Sequence, residues 1–206
     1  MKIITISREF GSGGREVGKR LADILQMDYY DREIITAIAK QTNLDETYIE
    51  STINSANIHS FPVSYGKTFS YKQKANIAVS LLAYEHKIMK AIAKKSNDFV
   101  IVGRSANAIL QEYRPFNVFV YADLDDKIAR CRKRDDSPRS DRELKKLIRS
   151  IDRSRMESHA LVSDLKWGER HGYHLCVNTS AVGIKSAAKL TAEFADAYWG
   201  GNKNEN

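Results

Sequence analysis

The chain is poor in the residues that would make it cross-linked, membrane-spanning or metal-built. Its 206 residues include only two cysteines, Cys131 and Cys176, and no apolar run approaches the length that crosses a bilayer. Both cysteines fall on segments that read as a helix and a strand, where a small buried hydrophobe explains them better than a disulfide. Met1-Lys2-Ile3 runs straight into an apolar strand without a secretory signal pattern, so a cytoplasmic location is expected. His171, His174 and Cys176 mix loop with strand and lack a fourth ligand, which argues against zinc. No nucleophile-elbow signature supports a Ser-His-Asp hydrolase, and no internal repeat is present. Acidic side chains are the minority, 26 against 33 basic ones, and the resulting charge of +7 permits an anionic partner. The basic stretches Lys127–Arg139 and Arg142–Arg155 are broken by acids and lack interleaved aromatics. That pattern favours a small anionic ligand over nucleic acid, with most of these charges on solvated helix faces.

Residues 2–25 form the most informative unit: an apolar strand, Lys2–Ser7, a turn holding Gly11, Gly13 and Gly14, then a helix with Val17, Leu21 and Leu25 at helical spacing. Glycines let consecutive backbone N–H groups point inward, and the helix start adds its positive dipole end at the same place. A phosphate suits that turn; a plain strand-to-helix connection would use the same glycines. The literal Walker match, Gly13-x4-Gly18-Lys19, continues with Arg20 and buries its lysine deep in the helix. The register that keeps the helix intact places the loop at Phe10–Glu16, with Gly14 where the lysine would stand.

Downstream, Asp28-Tyr29-Tyr30-Asp31 reads as a short strand, Arg32–Lys40 as a helix, and Thr42–Glu46 as the cap of another. Ser51–Tyr71 is polar and turn-rich with scattered aromatics, and reads as a mobile insertion. A long helix is expected over Lys72–Lys95, then strands at Asp98–Gly103, Asn117–Ala122 and His174–Asn178. Helices are expected at Asp125–Arg134, Asp141–His159 and Gly183–Trp199. Continuous apolar strands alternating with helices predict an α/β protein with a parallel sheet covered on both faces. The 42% hydrophobic content suits one core, or one core with a small inserted subdomain.

The ordered runs ITISREFGSGGREVGKRLA, YYDREII, FVIVGRSANAIL, VFVYADLDDKIAR, ID-x2-R, WG and LCVNTS-x2-GI resemble nucleoside monophosphate kinases of the P-loop fold, specifically the cytidylate-kinase-like group. Asp31 lies 17 residues after Gly14, an interval like that between the Walker lysine and the monophosphate-site aspartate of ordinary cytidylate kinases. The resemblance implies a three-layer P-loop kinase fold with a parallel sheet of about five strands, helices on both faces and a helical lid. It implies a single domain over 1–199, with an acceptor-binding helical insertion at 45–96, a lid region at 135–170 and a polar tail at 200–206. It further implies transfer of the γ-phosphoryl group of ATP, with Mg²⁺, to a small nucleotide; the oligomeric state stays open, a homo-oligomer included.

Phosphoryl transfer asks for in-line positioning and several cations, and Arg8, Arg15, Arg104, Arg149, Arg153 and Arg155 all fall in segments brought to the carboxyl ends of the strands. Under the resemblance Gly11, Ser12, Gly13, Gly14 and Arg15 cradle the donor phosphates, with Arg15 or the more distant Lys19 replacing the lysine. Glu16 stands where a Walker threonine would hold magnesium, although an acid in a first helical turn is equally explained by the dipole. Asp31, Arg104, Ser105 and Arg149 are expected at the acceptor, Asp31 being also a natural helix cap. Ser105 replaces the aspartate of ordinary cytidylate kinases, which leaves the acceptor open. Asp152 and Arg155 follow Arg149 at three-residue steps on one helix, roughly on one face, as lid residues over the transferring phosphate. Asn178, Thr179 and Ser180 would border the donor base or simply cap the last helix. The missing lysine supports one alternative from another class: a nucleotide sensor of the same fold without efficient turnover.

Overall fold

Strand β1 (Ile3–Arg8) is buried along its whole length at the centre of a five-stranded parallel sheet. The structure is a computed structural model, described here for residues 1–49, 68–94, 97–103, 105–134 and 139–200, without the side chains of 32 and 68–78. The other strands are β2 (Asp28–Tyr30), β3 (Phe99–Val102), β4 (Phe116–Tyr121) and β5 (Leu175–Asn178), in the order β2-β3-β1-β4-β5. The helices are α1 (Gly14–Leu25), α2 (Arg32–Thr42), α3 (Thr68–Ala93), α4 (Ala106–Ile109), α5 (Leu124–Arg134), α6 (Asp141–Ala160), α7 (Thr179–Val182) and α8 (Ile184–Gly200), with a further turn at 46–49. Asp45 caps that turn, accepting from the N–H groups of Thr47 and Tyr48.

The apolar strands are continuous because successive side chains feed opposite cores. Ile3, Phe99 and Ile101 join Ile34, Ile38, Leu81 and Met89 under α2 and α3. Ile4, Ile6, Val100, Val102, Val118 and Val120 join Val17 and Leu21 of α1 and the alanines 187, 188, 192 and 195 of α8. Those small residues let α8 lie close on the sheet beside α1. A separate cluster of Ile128, Cys131, Leu144 and Ile148 joins α5 to α6, with Phe10 packed against it.

Several boundaries differ from the sequence reading. Helix α3 starts at Thr68, so four residues assigned to the irregular insertion are helical; 51–67 lies outside the described residues. Cys176 is exposed, correcting the expectation of a buried residue, because β5 is the last strand of the sheet and pairs with β4 alone. Cys131 is buried as expected. His174 Nδ1 accepts the Asn117 N–H at 2.9 Å and its ring stacks on Phe116. Among the described residues no helix is long and apolar enough to cross a membrane.

The chain leaves β1 for β2 and β3 on one side and returns to its other side as β4. Such a reversal opens a crevice at the carboxyl ends of the strands, beyond Arg8.

Candidate functional site

The glycine loop begins where β1 ends. Gly11 and Gly13 adopt φ values of 78° and 83°, a left-handed backbone that glycine takes without strain. Space is as restrictive as torsion: a Cβ on Gly13 would stand 2.6 Å from Ile184 Cδ1, and one on Gly11 3.0 Å from the Lys127 carbonyl oxygen. Ser12 Oγ donates to the Glu9 carbonyl at 2.8 Å and accepts the Gly14 N–H at 3.3 Å. Beneath the loop, Thr179 Oγ1 donates to the Ser12 carbonyl at 2.6 Å, and Arg130 Nη1 reaches the same oxygen at 3.0 Å. The loop is thus fixed from below, and α1 starts at the crevice with its dipole directed there.

The crevice holds a cavity of about 280 Å³, near the lower end of small-molecule sites and far too small for a duplex. Its described lining includes five arginines, Arg8, Arg15, Arg134, Arg139 and Arg155, against Glu9, Asp31 and Glu85. The balance favours an anion. Arg15 Nε lies 2.9 Å from Asp31 Oδ2, and Arg8 Nη2 lies 3.8 Å from Asp31 Oδ1. Asp31 therefore faces two guanidiniums, and its side chain makes no capping bond to α2. Burial pushes the Arg8 guanidinium below its ordinary range; Asp31 opposes this and the like charge of Arg15 adds to it. The Tyr29 hydroxyl donates to the Arg15 carbonyl at 3.2 Å, and burial, then Asp31, pushes that phenol well above its usual range.

Helix α6 meets the loop through two of the three residues singled out in its sequence. Asp152 Oδ1 accepts the Phe10 N–H at 2.7 Å, and its carboxylate lies 3.5 Å from both Lys127 Nζ and Arg155 Nη1. Burial raises the Asp152 carboxyl above its usual range, against the lowering effects of the Phe10 N–H, Arg155 and Lys127. Arg155 Nη1 donates to the Arg8 carbonyl at 2.9 Å, and its guanidinium sits over the Phe10 ring. Arg149 is exposed instead. Two steps of three residues drift by about 120° around a helix, enough to turn Arg149 away from the face that carries Arg155.

The remaining candidates are dispersed. Glu16 pairs with Arg20 along the outside of α1, at 2.7 Å. Ser105 is buried and precedes α4. Asn178 caps α7 by accepting the Ser180 N–H, Ser180 Oγ accepts the Asp123 N–H, and Thr179 is buried under the loop. Arg104 lies outside the described residues. Sequence reasoning gave no role to Glu85, Arg130, Arg134 or Arg139, and named Arg8 only in passing. Glu85 carried a usable signal, a lone carboxylate between Leu81-Leu82 and Ile88-Met89 on a helix that must bury one face.

The fold has known counterparts. A crystal structure of an uncharacterized protein from Eubacterium ventriosum is similar, with a TM-score of 0.70 and 23% identity over 96% of this chain and 99% of that one. Shikimate kinases are similar too. The one from Acinetobacter baumannii, in complex with shikimate, has a TM-score of 0.58 and 13% identity over 96% of this chain and 94% of its own. The one from Bacteroides thetaiotaomicron has a TM-score of 0.58 and 15% identity over 95% and 98%. At these identities the likeness concerns the fold, that of P-loop kinases. No curated protein matches the chain. The sequence pattern of one family runs across the glycine loop, the strands of the sheet and the start of α7, matching residues 3–181, and by that match the chain belongs to the cytidylate kinase-like family.

Proposed function

We propose that the protein is an ATP-dependent phosphotransferase that passes the γ-phosphoryl group to a small nucleotide, in the manner of a cytidylate or other nucleoside monophosphate kinase. The observation that carries this reading is the arginine-rich cavity, where the glycine loop at the start of α1 meets the Arg15–Asp31 pair. Donor phosphates are assigned to Gly11–Arg15, where backbone N–H groups and the helix dipole favour negative charge. The acceptor is assigned to the Asp31 side, toward Ile34, Ile35 and Glu85, with Arg104 and Ser105 following β3. Transfer between phosphate oxygens needs no deprotonation of a hydroxyl, only alignment and neutralisation of the charge in transit. Arg15 and Arg155 are the assigned cations, and Asp152 supports the loop on which they act. A cytoplasmic location accords with such substrates.

Magnesium would add charge neutralisation across the donor phosphates, and it usually keeps several waters and few protein ligands. Among the described residues no group of three acidic, histidine or cysteine side chains forms a cage. The ion is therefore expected to arrive on the phosphates, with Glu16 a ligand only if it leaves Arg20.

The test is calorimetric titration with ATP and Mg²⁺, followed in the same sample by CMP, dCMP, UMP, AMP and shikimate with ADP monitored. ADP release above the acceptor-free background with one monophosphate supports the kinase. Tight ATP binding with no turnover supports the sensor, which Gly14 at the lysine position favours. Absence of ATP binding removes both.

A further inference from the structure

The P-loop signature G-x-x-x-x-G-K places its first glycine five residues before its second and the lysine directly after. With Gly13 as the second glycine, the first falls at position 8 and the lysine at position 14. This chain carries the reverse, Arg8 where the signature has glycine and Gly14 where it has lysine. The two departures meet in space. A Cβ on Gly14 would lie 2.5 Å from Arg8 Cβ and 2.9 Å from Arg8 Cγ, distances that no pair of side chains tolerates. A side chain at 8 and a side chain at 14 exclude one another, so the bare Gly14 is the complement of the arginine.

Arg8 is held for a ligand. It is 8% exposed, it lines the cavity with Gly14 and Arg15, and among the described residues its Nε and Nη1 have no hydrogen-bond partner. Unmet buried donors are costly, and a guanidinium stays charged even there. Among the described residues Arg8 forms one ion pair, the long 3.8 Å approach of Nη2 to Asp31, whose closer partner is Arg15 at 2.9 Å. If Arg8 served only to balance Asp31, its Nε and Nη1 would not be left idle. A planar, two-pronged donor facing a glycine loop matches the oxygens of a phosphoryl group.

We infer that Arg8 replaces the P-loop lysine, delivering its cation from the end of β1 across the bare Gly14 to the transferring phosphoryl group of the donor. The inference rests on the kinase reading above and assigns Arg8 as a catalytic residue within it. It also removes the reason for regarding the loop as disabled, because the cation has been relocated rather than lost.

The test uses inorganic tripolyphosphate and ATP as calorimetric probes on the full chain, with ADP release measured alongside. The variants are Arg8→Ala, Arg8→Gly and the exchange Arg8→Gly/Gly14→Lys, each checked by thermal melting. Arg8→Ala is expected to weaken both probes at least about tenfold and to slow turnover on the order of 100-fold. The exchange variant is expected to recover affinity relative to Arg8→Gly, a gain that a merely structural arginine would not produce. Wild-type binding that Arg8→Ala leaves within about threefold overturns the assignment and spares the kinase reading. An exchange variant no better than Arg8→Gly also overturns it. Should the single variants unfold, the exchange variant decides alone: binding of tripolyphosphate supports the assignment, and none overturns it. Failure of the wild type to bind either probe removes both readings.

Discussion

Asp152 accepts the backbone N–H of Phe10 at 2.7 Å, tying α6 to the entrance of the glycine loop across 142 residues of sequence. The carboxylate holds the loop and shares Lys127 with Glu9, and does not line the cavity. Arg155, one helical turn on, lines the crevice, as do Leu144 and Leu147 of the same helix.

Removing that carboxylate leaves the Phe10 N–H and part of the Lys127 charge without a partner. Asp152→Ala is expected to destabilise the fold by about 2–3 kcal/mol, while Asp152→Asn, whose amide oxygen still accepts from Phe10, costs less. Urea denaturation of both variants checks this; equal losses would show that the hydrogen bond to Phe10 contributes nothing.

Gly18 lies inside α1, where alanine ordinarily stabilises a helix by about 1 kcal/mol. Here a Cβ would stand 2.6 Å from Val102 Cγ2 and 3.1 Å from Ile6 Cδ1, both on fully buried strands. Overpacking costs about 1–3 kcal/mol and outweighs the propensity gain, so Gly18→Ala is expected to lower the melting temperature by a few degrees. An unchanged or raised Tm would refute the close approach of α1 to β3.

Arg15 is 41% exposed in its side chain, so its pair with Asp31 is screened and worth less than about 1 kcal/mol. Arg15→Ala is expected to melt within about 3 °C of the wild type yet lose on the order of 100-fold in kcat/KM. Retained activity would take Arg15 out of the reaction.

His174 offers its Nδ1 to the Asn117 N–H, a role only the neutral ring can play, and burial lowers its pKa below 6.5. The unfolded chain then binds that proton more tightly than the folded one. Stability from this group is present above about pH 6.5 and lost as pH falls through the lower folded value. The denaturation midpoint should decline below pH 6.5, with a shallower slope in His174→Gln; His86, shifted the same way by burial and then Lys90, accounts for a residual slope. A midpoint independent of pH between 7 and about 5 would rule the shift out.

The five strands and most of the helices were legible because they are local patterns. An apolar run between turn residues needs only its neighbours to be read, and Phe99–Val102 and Phe116–Tyr121 fall within a residue of where periodicity places them. The loop register was legible for the same reason: only one alignment of the glycines leaves α1 intact. The partners of the site residues were not. Asp31 reads equally well as a cap or as an acceptor ligand, and only its distances to Arg15 and Arg8 show which groups it faces. Arg149, Asp152 and Arg155 share a spacing yet separate, because which arc of α6 is covered depends on how the helix packs against Ile128, Cys131 and Phe10.

By itself, then, the sequence determined the parallel sheet, the order of its helices and the glycine loop without a lysine, since each follows from short-range sterics and hydrophobic period. Tertiary structure alone decided that Arg8 fills the space above Gly14, that Thr179 and Arg130 brace the loop from beneath, and that Glu85 enters the cavity. Those relations join residues far apart in the chain, and their geometry exists only once the strands are paired and the helices packed over them.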